Sequence, residues 1–489
     1  MKLSQLLSGI ETTKILNFKD LEIEDIDNDS REVFSRSLFF ALKGNNLDGN
    51  RFVLDAVKRG AVAVISDTAN DSVKVPQIIV KDVKKVMAEI AMRFYKPNGN
   101  RVKVIGVVGT NGKTTTTFIL KSILEQAGYK AGVIGTLGAF YKNAVVEPDL
   151  TTPDSINFYK ILKDMADSGV EYAVVELSAH AIAQKRTGSL KFEGLIFTNC
   201  TQDHLDYFKD FNEYESVKAS VFDSHYSNFA VVNSDDATGI KILNNNKIKS
   251  FSYGIENPSD VFAVNILNSK NGINFVMNLF DDIVDVYYSS SGMFNVYNCL
   301  GAATFASILG ISSSDIASGI KNVKKVAGRM EFVENFNGAD IYVDYAHTPD
   351  GLENLLKSLR QITKNNLYLV FGCGGNRDTS KRPIMGEIAG KYADFTVITS
   401  DNPRFEDAYQ IISDIESGFR KSSLAYITIQ NREMAIGYAL SKIGEGDVLV
   451  VSGKGAENYQ EIMGVKLKYS DIETIKELIA KIKFSGDII

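Results

Sequence analysis

The sequence predicts an α/β protein of three domains with mostly parallel sheets, and three observations carry that expectation. Short apolar runs alternate with stretches of helical periodicity. Glycine-rich or polar turns follow the runs, where ligands of open parallel sheets bind. The length of 489 residues suggests about three domains at roughly 150 residues each.

The middle of the chain shows the pattern first. Val102–Val108, Ala173–Glu176 and Leu195–Thr198 read as buried strands, and Thr115–Ala127 as a helix. The last third is clearer. Ile341–Val343, Leu367–Phe371, Phe395–Thr399, Ala425–Ile429 and Val448–Val451 read as strands, with helices such as Leu352–Leu359 and Met434–Leu440 between them. Such alternation builds parallel sheets through right-handed crossovers. Turn-forming residues at Lys96–Asn100 and Ala327–Arg329 divide the chain into domains 1–98, 99–329 and 330–489.

Composition bounds the function. Hydrophobic residues at 44% and charged residues at 23% place the chain among globular proteins rather than disordered ones. A net charge of −6 offers no basic excess for nucleic acid. Apolar runs fall short of the roughly 18 residues a membrane span needs, and MKLSQLLSGIETTK lacks the apolar stretch of a secretory signal. The expectation is a cytoplasmic monomer without membrane insertion. Cys200, Cys299 and Cys373 lack metal-like or disulfide-like spacing and read as buried thiols.

The sharpest motif is Gly109-Thr110-Asn111-Gly112-Lys113-Thr114-Thr115, between the Val102–Val108 run and a helix. Glycines let backbone amides close around phosphate oxygens, and a helix N-terminus adds partial positive charge. Lys113 suits the terminal phosphates, and the threonine hydroxyls suit magnesium or phosphate oxygen. Val107 stands where the strict phosphate-loop pattern has its first glycine. The central domain is accordingly expected to be P-loop-ATPase-like, and the C-terminal one Rossmann-like.

Further strings follow the next strands: Glu176-Leu177-Ser178-Ala179-His180, and Thr198-Asn199-Cys200-Thr201-Gln202-Asp203-His204-Leu205-Asp206. A carboxylate and an imidazole beside a triphosphate suit magnesium. Tyr214–Ser220 reads as one helix carrying Lys218. Asn295 and Asn298, three apart, share a helix face, and their amides suit a base edge.

Taken together, and in order across nearly the whole chain, these strings resemble those of the Mur ligases. GTNGKTTT is characteristic of that family, although Val108 replaces its usual threonine. The resemblance implies an ATP-dependent amide-bond ligase of peptidoglycan synthesis, with ATP as co-substrate and Mg2+ as cofactor. It implies Thr114, Glu176, His204 and an N6-carboxylated Lys218 at the metal. It assigns Lys113, Glu176, His204, Lys218, Arg329 and His347 to catalysis, and Asn295, Asn298, Arg329 and Asp344 to ATP beside the loop residues. Ser30, Thr151, Thr152, Ser178, Gln184 and Arg186 would bind a UDP-MurNAc-dipeptide, with residues 1–98 as a UDP-binding domain. Asn50 and Phe208 stand where the family often has histidine.

The strings Arg377, Asp401-Asn402-Pro403-Arg404 and Gly453-Lys454-Gly455-Ala456-Glu457 resemble an amino-acid pocket of the version that takes meso-diaminopimelate, or a close diacid such as lanthionine. Arg404 would bind its distal carboxylate, Glu457 its distal ammonium and Arg377 the other carboxylate. Ala456 replaces the usual histidine. A buried arginine left without an anion would reject lysine. Lysine or ornithine as the amine, a folylpolyglutamate-type ligase and a non-catalytic ATP-binding module are the alternatives.

Overall fold

The computed structural model describes residues 1–44, 47–96, 102–141, 144–146, 150–245 and 247–486. The expected boundary turn at Pro97–Asn100 lies outside these residues. The chain forms two compact units. One comprises residues 1–106, 129–194 and 223–228, and the other residues 107–128, 195–222 and 229–489.

The first unit contains a five-stranded sheet in the order Lys14–Leu16, Gln77–Ile79, Ala61–Ser66, Ser37–Phe40, Asp25–Asp27. Its pairs are parallel except at the Lys14–Leu16 edge. Phe39, Ala56, Ala61 and Val64 form part of its core under the helix Val53–Arg59. In the same unit Tyr172–Leu177 runs parallel to Ala131–Gly135, and two short antiparallel strands follow. The helix Ser155–Asp167 starts where the Asp154 carboxylate accepts from the amides of Ile156 and Asn157.

The second unit carries Gly194–Phe197, Ala230–Asn233, Ser250–Gly254 and Val261–Ser269 in parallel succession. Two antiparallel strands, Gly272–Leu279 and Asp282–Tyr288, extend it. The sequence reading did not mark these last strands. Their burial alternates, which leaves a weaker apolar signal than a run buried on both faces.

The C-terminal part of this unit matches its expected strands within two residues at each end. Its six-stranded sheet runs Glu331–Phe336, Ala339–Asp344, Val448–Ser452, Leu367–Phe371, Phe395–Ile398, Tyr426–Thr428. All pairs are parallel except the first. Strand alternation divides the side chains between two layers. Val448 and Val450 join Leu352, Leu356 and Ile415 on one face, while Leu449 and Val451 join Ala435, Ile436 and Ile475 on the other. The reversed first strand has a consequence for the site. Its start, at Glu331, pairs with Val343 near the end of the neighbouring strand, so Arg329 reaches the edge where the parallel strands end.

One ion pair ties the closing helix Asp471–Gly486 to this sheet. Arg432 is buried, donates through Nε and Nη2 to the Asp471 carboxylate at 2.7 and 2.8 Å, and reaches the Ser452 carbonyl at 2.9 Å. Removing one member strands a buried charge. Asp471→Ala is expected to lower stability by about 3–5 kcal/mol in urea denaturation, and the pair replacement Arg432→Met with Asp471→Leu to recover much of it. A single-variant loss under about 1 kcal/mol would mean that Arg432 finds water or another acceptor.

Candidate active site

The phosphate loop is built as its residues predict. Gly112, with φ of 84°, caps the helix Lys113–Gln126 in a conformation that disfavours a side chain, and a Cβ there would meet Asn298 Oδ1 at 2.4 Å. The turn is braced by the segment after Gly194–Phe197. Asn199 Oδ1 accepts from the Asn111 amide at 2.9 Å, the Asn199 carbonyl accepts from the Thr110 amide at 2.9 Å, and Thr198 Oγ1 donates to the Asn111 carbonyl at 2.7 Å. Lys113 Nζ folds back to the carbonyls of Gly109 and Thr110 at 2.9 and 2.8 Å.

Lys218 lies behind this loop. It is buried on the helix Phe211–Ala219, donates to Thr110 Oγ1 at 2.6 Å and sits 4.0 Å from the Tyr214 ring centroid. No carboxylate among the described residues lies within ion-pair distance. Burial pushes its amine down to about 7, and the nearby Lys113 charge acts the same way. Phe208, at a position where the family often has histidine, is buried against Tyr214.

Asp203 is the electrostatic centre that the sequence reading left without a role. Its carboxylate is 3.3 Å from His204 Nε2, 3.9 Å from His347 Nε2 and 3.5 Å from Lys381 Nζ. Burial alone would raise this carboxyl, but Lys381 and His204 outweigh it and hold Asp203 well below the ordinary range. His347 is pushed down to about 4, by burial first and then by Lys381. Its Nδ1–H donates to the Tyr345 carbonyl at 2.8 Å. The side chain keeps 39% of its surface exposed, and its Nε2 faces Asp203.

Arg329 Nη2 donates to Thr114 Oγ1 at 2.9 Å, and the guanidinium lies 4.4 Å from the Tyr345 ring centroid. A Cβ on Gly328 would meet the Ala456 amide at 2.1 Å, so only glycine lets the Gly453–Glu457 turn approach this arginine. Asn111 Nδ2 also donates to Asp350 at 2.8 Å. Asp344 accepts from the amides of Met330 and Ala346, both at 2.6 Å.

Asn295 and Asn298 do share a face, with Asn298 Nδ2 donating to Asn295 Oδ1 at 3.2 Å. Both are buried, and they also bond to the Ser291 carbonyl and to Thr116.

A second cluster belongs to the first unit. Thr152 Oγ1 donates to the Glu176 carbonyl at 2.7 Å and accepts from the Ser178 amide at 3.0 Å. Arg186 donates to the Thr152 carbonyl at 2.5 Å and to Gln184 at 3.0 Å, and the Thr151 and Thr136 hydroxyls are 3.2 Å apart. Thr136, unmarked in the sequence, bonds Glu176 through its amide at 2.9 Å and its hydroxyl at 3.1 Å. Its only sequence signal is its place just after a strand end. Ser30 is buried, and its neighbours Asp29 and Arg31 form an ion pair at 2.6 Å. Asn50, at a position where the family often has histidine, donates to Asp48 and Asp67.

The amino-acid strings converge at the ends of Phe395–Ile398 and Val448–Ser452. Glu457 accepts from Asn402 Nδ2 and Lys454 Nζ, both at 2.9 Å. Arg377 is exposed and donates to the Asn376 carbonyl at 3.1 Å. Arg404 departs from expectation in one respect. It already has an anion of its own, because Nε donates to Glu461 at 3.1 Å while Nη1 donates to the Gly375 carbonyl at 2.8 Å. Rejection of lysine by a stranded Arg404 charge therefore does not hold as stated.

Comparison with known proteins identifies the family. Residues 22–95 match the Mur ligase family catalytic domain, residues 107–306 the Mur ligase middle domain, and residues 328–455 the Mur ligase glutamate ligase domain. The chain belongs to the Mur ligase family and has its three-domain α/β fold; it is an ATP-dependent, amide-bond-forming ligase. It is 39% identical over 482 residues to the UDP-N-acetylmuramoyl-L-alanyl-D-glutamate–2,6-diaminopimelate ligase of Caldanaerobacter subterraneus, covering 98% of this chain and 99% of that one. The Geobacillus thermodenitrificans enzyme of the same name is 40% identical over 478 residues, covering 96% and 98%. A solved structure of a ligase of that name aligns over 99% of both chains at 29% identity and a TM-score of 0.69. The MurF ligase of Thermotoga maritima in complex with ADP, at 20% identity and a TM-score of 0.65 over 95% of this chain and 99% of that one, shares the fold. Among the described residues no helix is long and apolar enough to cross a membrane.

Lys218 links the site to stability. Between about 7 and the ordinary 10.5 the unfolded chain binds a proton that the folded chain does not, so stability rises with pH across that window. In carbon-dioxide-free buffer, the urea midpoint is expected to climb more steeply from about pH 7 to about pH 9 for wild type than for Lys218→Met. Equal slopes would show that Lys218 folds in its charged form.

Proposed function

We propose that the chain joins meso-2,6-diaminopimelate, or a close diamino diacid such as meso-lanthionine, to the D-glutamate carboxylate of UDP-MurNAc-L-Ala-D-Glu, the third-residue step of peptidoglycan synthesis. One observation carries this reading: the unit that holds the Gly109–Thr115 phosphate loop also holds an amine-site cluster of Asn402, Arg404, Lys454 and Glu457. The printed names of the full-length relatives support the same substrate pair. On this reading residues 1–98, 99–329 and 330–489 are the UDP-, ATP- and amino-acid-binding domains of a cytoplasmic monomer, and the three matched segments support that division.

The reaction runs in two steps. A carboxylate oxygen of the D-glutamate attacks the γ-phosphorus of ATP and ADP leaves. The amine of the diamino acid then attacks the acyl carbon of the resulting acyl phosphate, and inorganic phosphate leaves with the amide formed. Lys113 and Arg329 supply positive charge where it accumulates on the transferred phosphoryl group. Arg329 is already aimed at the loop through Thr114. His347 and Asp344 would serve the ribose and phosphates, and Asn295 and Asn298 the base. Thr151, Thr152, Ser178, Gln184 and Arg186 form the first unit's polar cluster for the peptide carboxylates, with Ser30 serving the uridine end. Arg377 takes the reacting end's carboxylate, Arg404 the distal carboxylate and Glu457 the distal ammonium.

Magnesium, when bound with ATP, neutralises phosphate charge, and in the second unit Thr114, His204 and a carbamate on Lys218 would hold it. The donor chemistry fits, since magnesium binds through few protein groups alongside nucleotide phosphates and water. Lys218 fits a carbamate on physical grounds. A buried amine with no carboxylate partner, held to about 7, is the unprotonated form that adds carbon dioxide.

An amine panel with the UDP-dipeptide and ATP, scored by phosphate release, tests the assignment. Diaminopimelate and lanthionine are expected to support turnover well above lysine and ornithine. Lys113→Ala is expected to lower turnover by about a hundredfold or more with an unchanged melting profile. Release without any amine, or a preference for lysine, would refute the proposed substrate.

Lys218→Ala is expected to recover activity in part with high chloride or short carboxylic acids, which return an anion to the vacated space. Labelled bicarbonate should also give a carbamate signal on the wild-type protein. Absence of both rescue and signal would exclude the carbamate.

A further inference from the structure

Glu461 lies on the short strand Tyr459–Ile462, outside every motif marked in the sequence. Its carboxylate holds Arg404 Nε at 3.1 Å, with both side chains about four-fifths buried: their exposures are 17% and 21%. The backbone reinforces the pairing. The Arg404 amide donates to the Glu461 carbonyl at 3.0 Å, and the Met463 amide donates to the Arg404 carbonyl at 2.7 Å. Arg404 has a φ of 52°, an uncommon conformation that these two bonds pin in place. Glu461 is anchored in turn, because its amide donates to Asn402 Oδ1 at 2.9 Å. Asn402 also holds Glu457 through Nδ2.

The guanidinium is thus only partly used. Nε and Nη1 have protein acceptors, whereas Nη2 makes no hydrogen bond to a described residue. The remaining edge can receive a carboxylate. That carboxylate arrives beside a second carboxylate already in place, and two like charges on one guanidinium repel. A ligand group that brings its own cation avoids the conflict. Glu457 meets that cation only in part, since Lys454 and Asn402 both bond its Oε2.

We infer that Glu461 is a specificity-determining residue which, with Arg404, makes the distal pocket a receptor for a zwitterionic amino-acid head group, excluding tails that carry a lone carboxylate as well as tails that carry a lone ammonium. This rests on the diamino-diacid reading above. The carboxylate of the head group takes the open edge of Arg404, and its ammonium offsets Glu461. Lysine is disfavoured because its ammonium meets Arg404 with no carboxylate to bind it. 2-Aminopimelate, which is diaminopimelate without the distal amine, is disfavoured because its carboxylate meets Glu461 uncompensated.

The test compares diaminopimelate, 2-aminopimelate and lysine on the wild-type enzyme and on Glu461→Gln, with kcat/KM for each amine, KM for ATP and the melting temperature. Wild type is expected to favour diaminopimelate over 2-aminopimelate by about tenfold or more, the range of one hydrogen bond to a charged group. Glu461→Gln should narrow that ratio by about tenfold through KM, leaving KM for ATP unchanged. A ratio unaltered in Glu461→Gln, whether both amines lose equally or neither changes, would reduce Glu461 to a support for the hairpin and overturn the inference. So would a wild-type enzyme that uses 2-aminopimelate as well as diaminopimelate, a result that needs no variant. A wild-type enzyme that prefers lysine would instead remove the underlying diamino-diacid reading.

Discussion

The Gly109–Gly112 turn depends on the segment that follows Gly194–Phe197. Thr198 and Asn199 take the carbonyl and amide of Asn111, and Thr201 donates its amide to Thr110 Oγ1. A phosphate-binding loop must leave its amides pointing at the ligand, so its remaining polar groups need other partners. Those partners come from the same stretch that presents Asp203 and His204. The loop and that acidic–imidazole segment are therefore held by one set of hydrogen bonds, and Thr110 extends the set to Lys218 and Tyr214.

The second unit manages its buried charges in two ways. Arg432 and Asp471 are closed off and fully paired, and they serve the fold. Asp203, Lys218, His347 and Arg404 are incompletely satisfied, each in a different sense. Asp203 is shared among three basic side chains, Lys218 has no carboxylate within ion-pair distance among the described residues, His347 is held below the ordinary imidazole range, and Arg404 keeps one edge open. Residual electrostatic demand of this kind marks groups arranged for a ligand rather than for stability.

Several site residues were legible because their chemistry is local. Gly112 must adopt a positive φ, Lys113 must follow it, and a strand must precede them, so a few adjacent letters suffice. The Asn295–Asn298 pair is similarly a matter of helical spacing. Asp203 was visible as a letter within a motif but had no role, because its partners Lys381 and His347 are more than a hundred residues away in sequence. Thr136 and Asp350 were missed for the same reason: each acquires meaning only from a distant partner, Glu176 or Asn111. The strands Gly272–Leu279 and Asp282–Tyr288 escaped notice because half-exposed antiparallel strands lack a continuous apolar run.

Arg404 shows where the boundary falls. Its presence after Asn402-Pro403 is enough to predict a carboxylate-binding guanidinium at a strand end, since arginine carries its charge at any accessible pH. Whether that charge is free or already met is not a property of the arginine. The reversal at Arg404 and the hairpin beyond it bring Glu461 to Nε, fifty-seven residues along the chain. The sequence by itself determined the alternating α/β order, the phosphate loop and the identities of the charged groups, because these follow from periodicity and adjacent residues. Only the tertiary structure decided which charges meet, and with them the protonation of Lys218 and His347 and the balance at Arg404. Burial and distance set those quantities, and both arise from packing between segments remote in sequence.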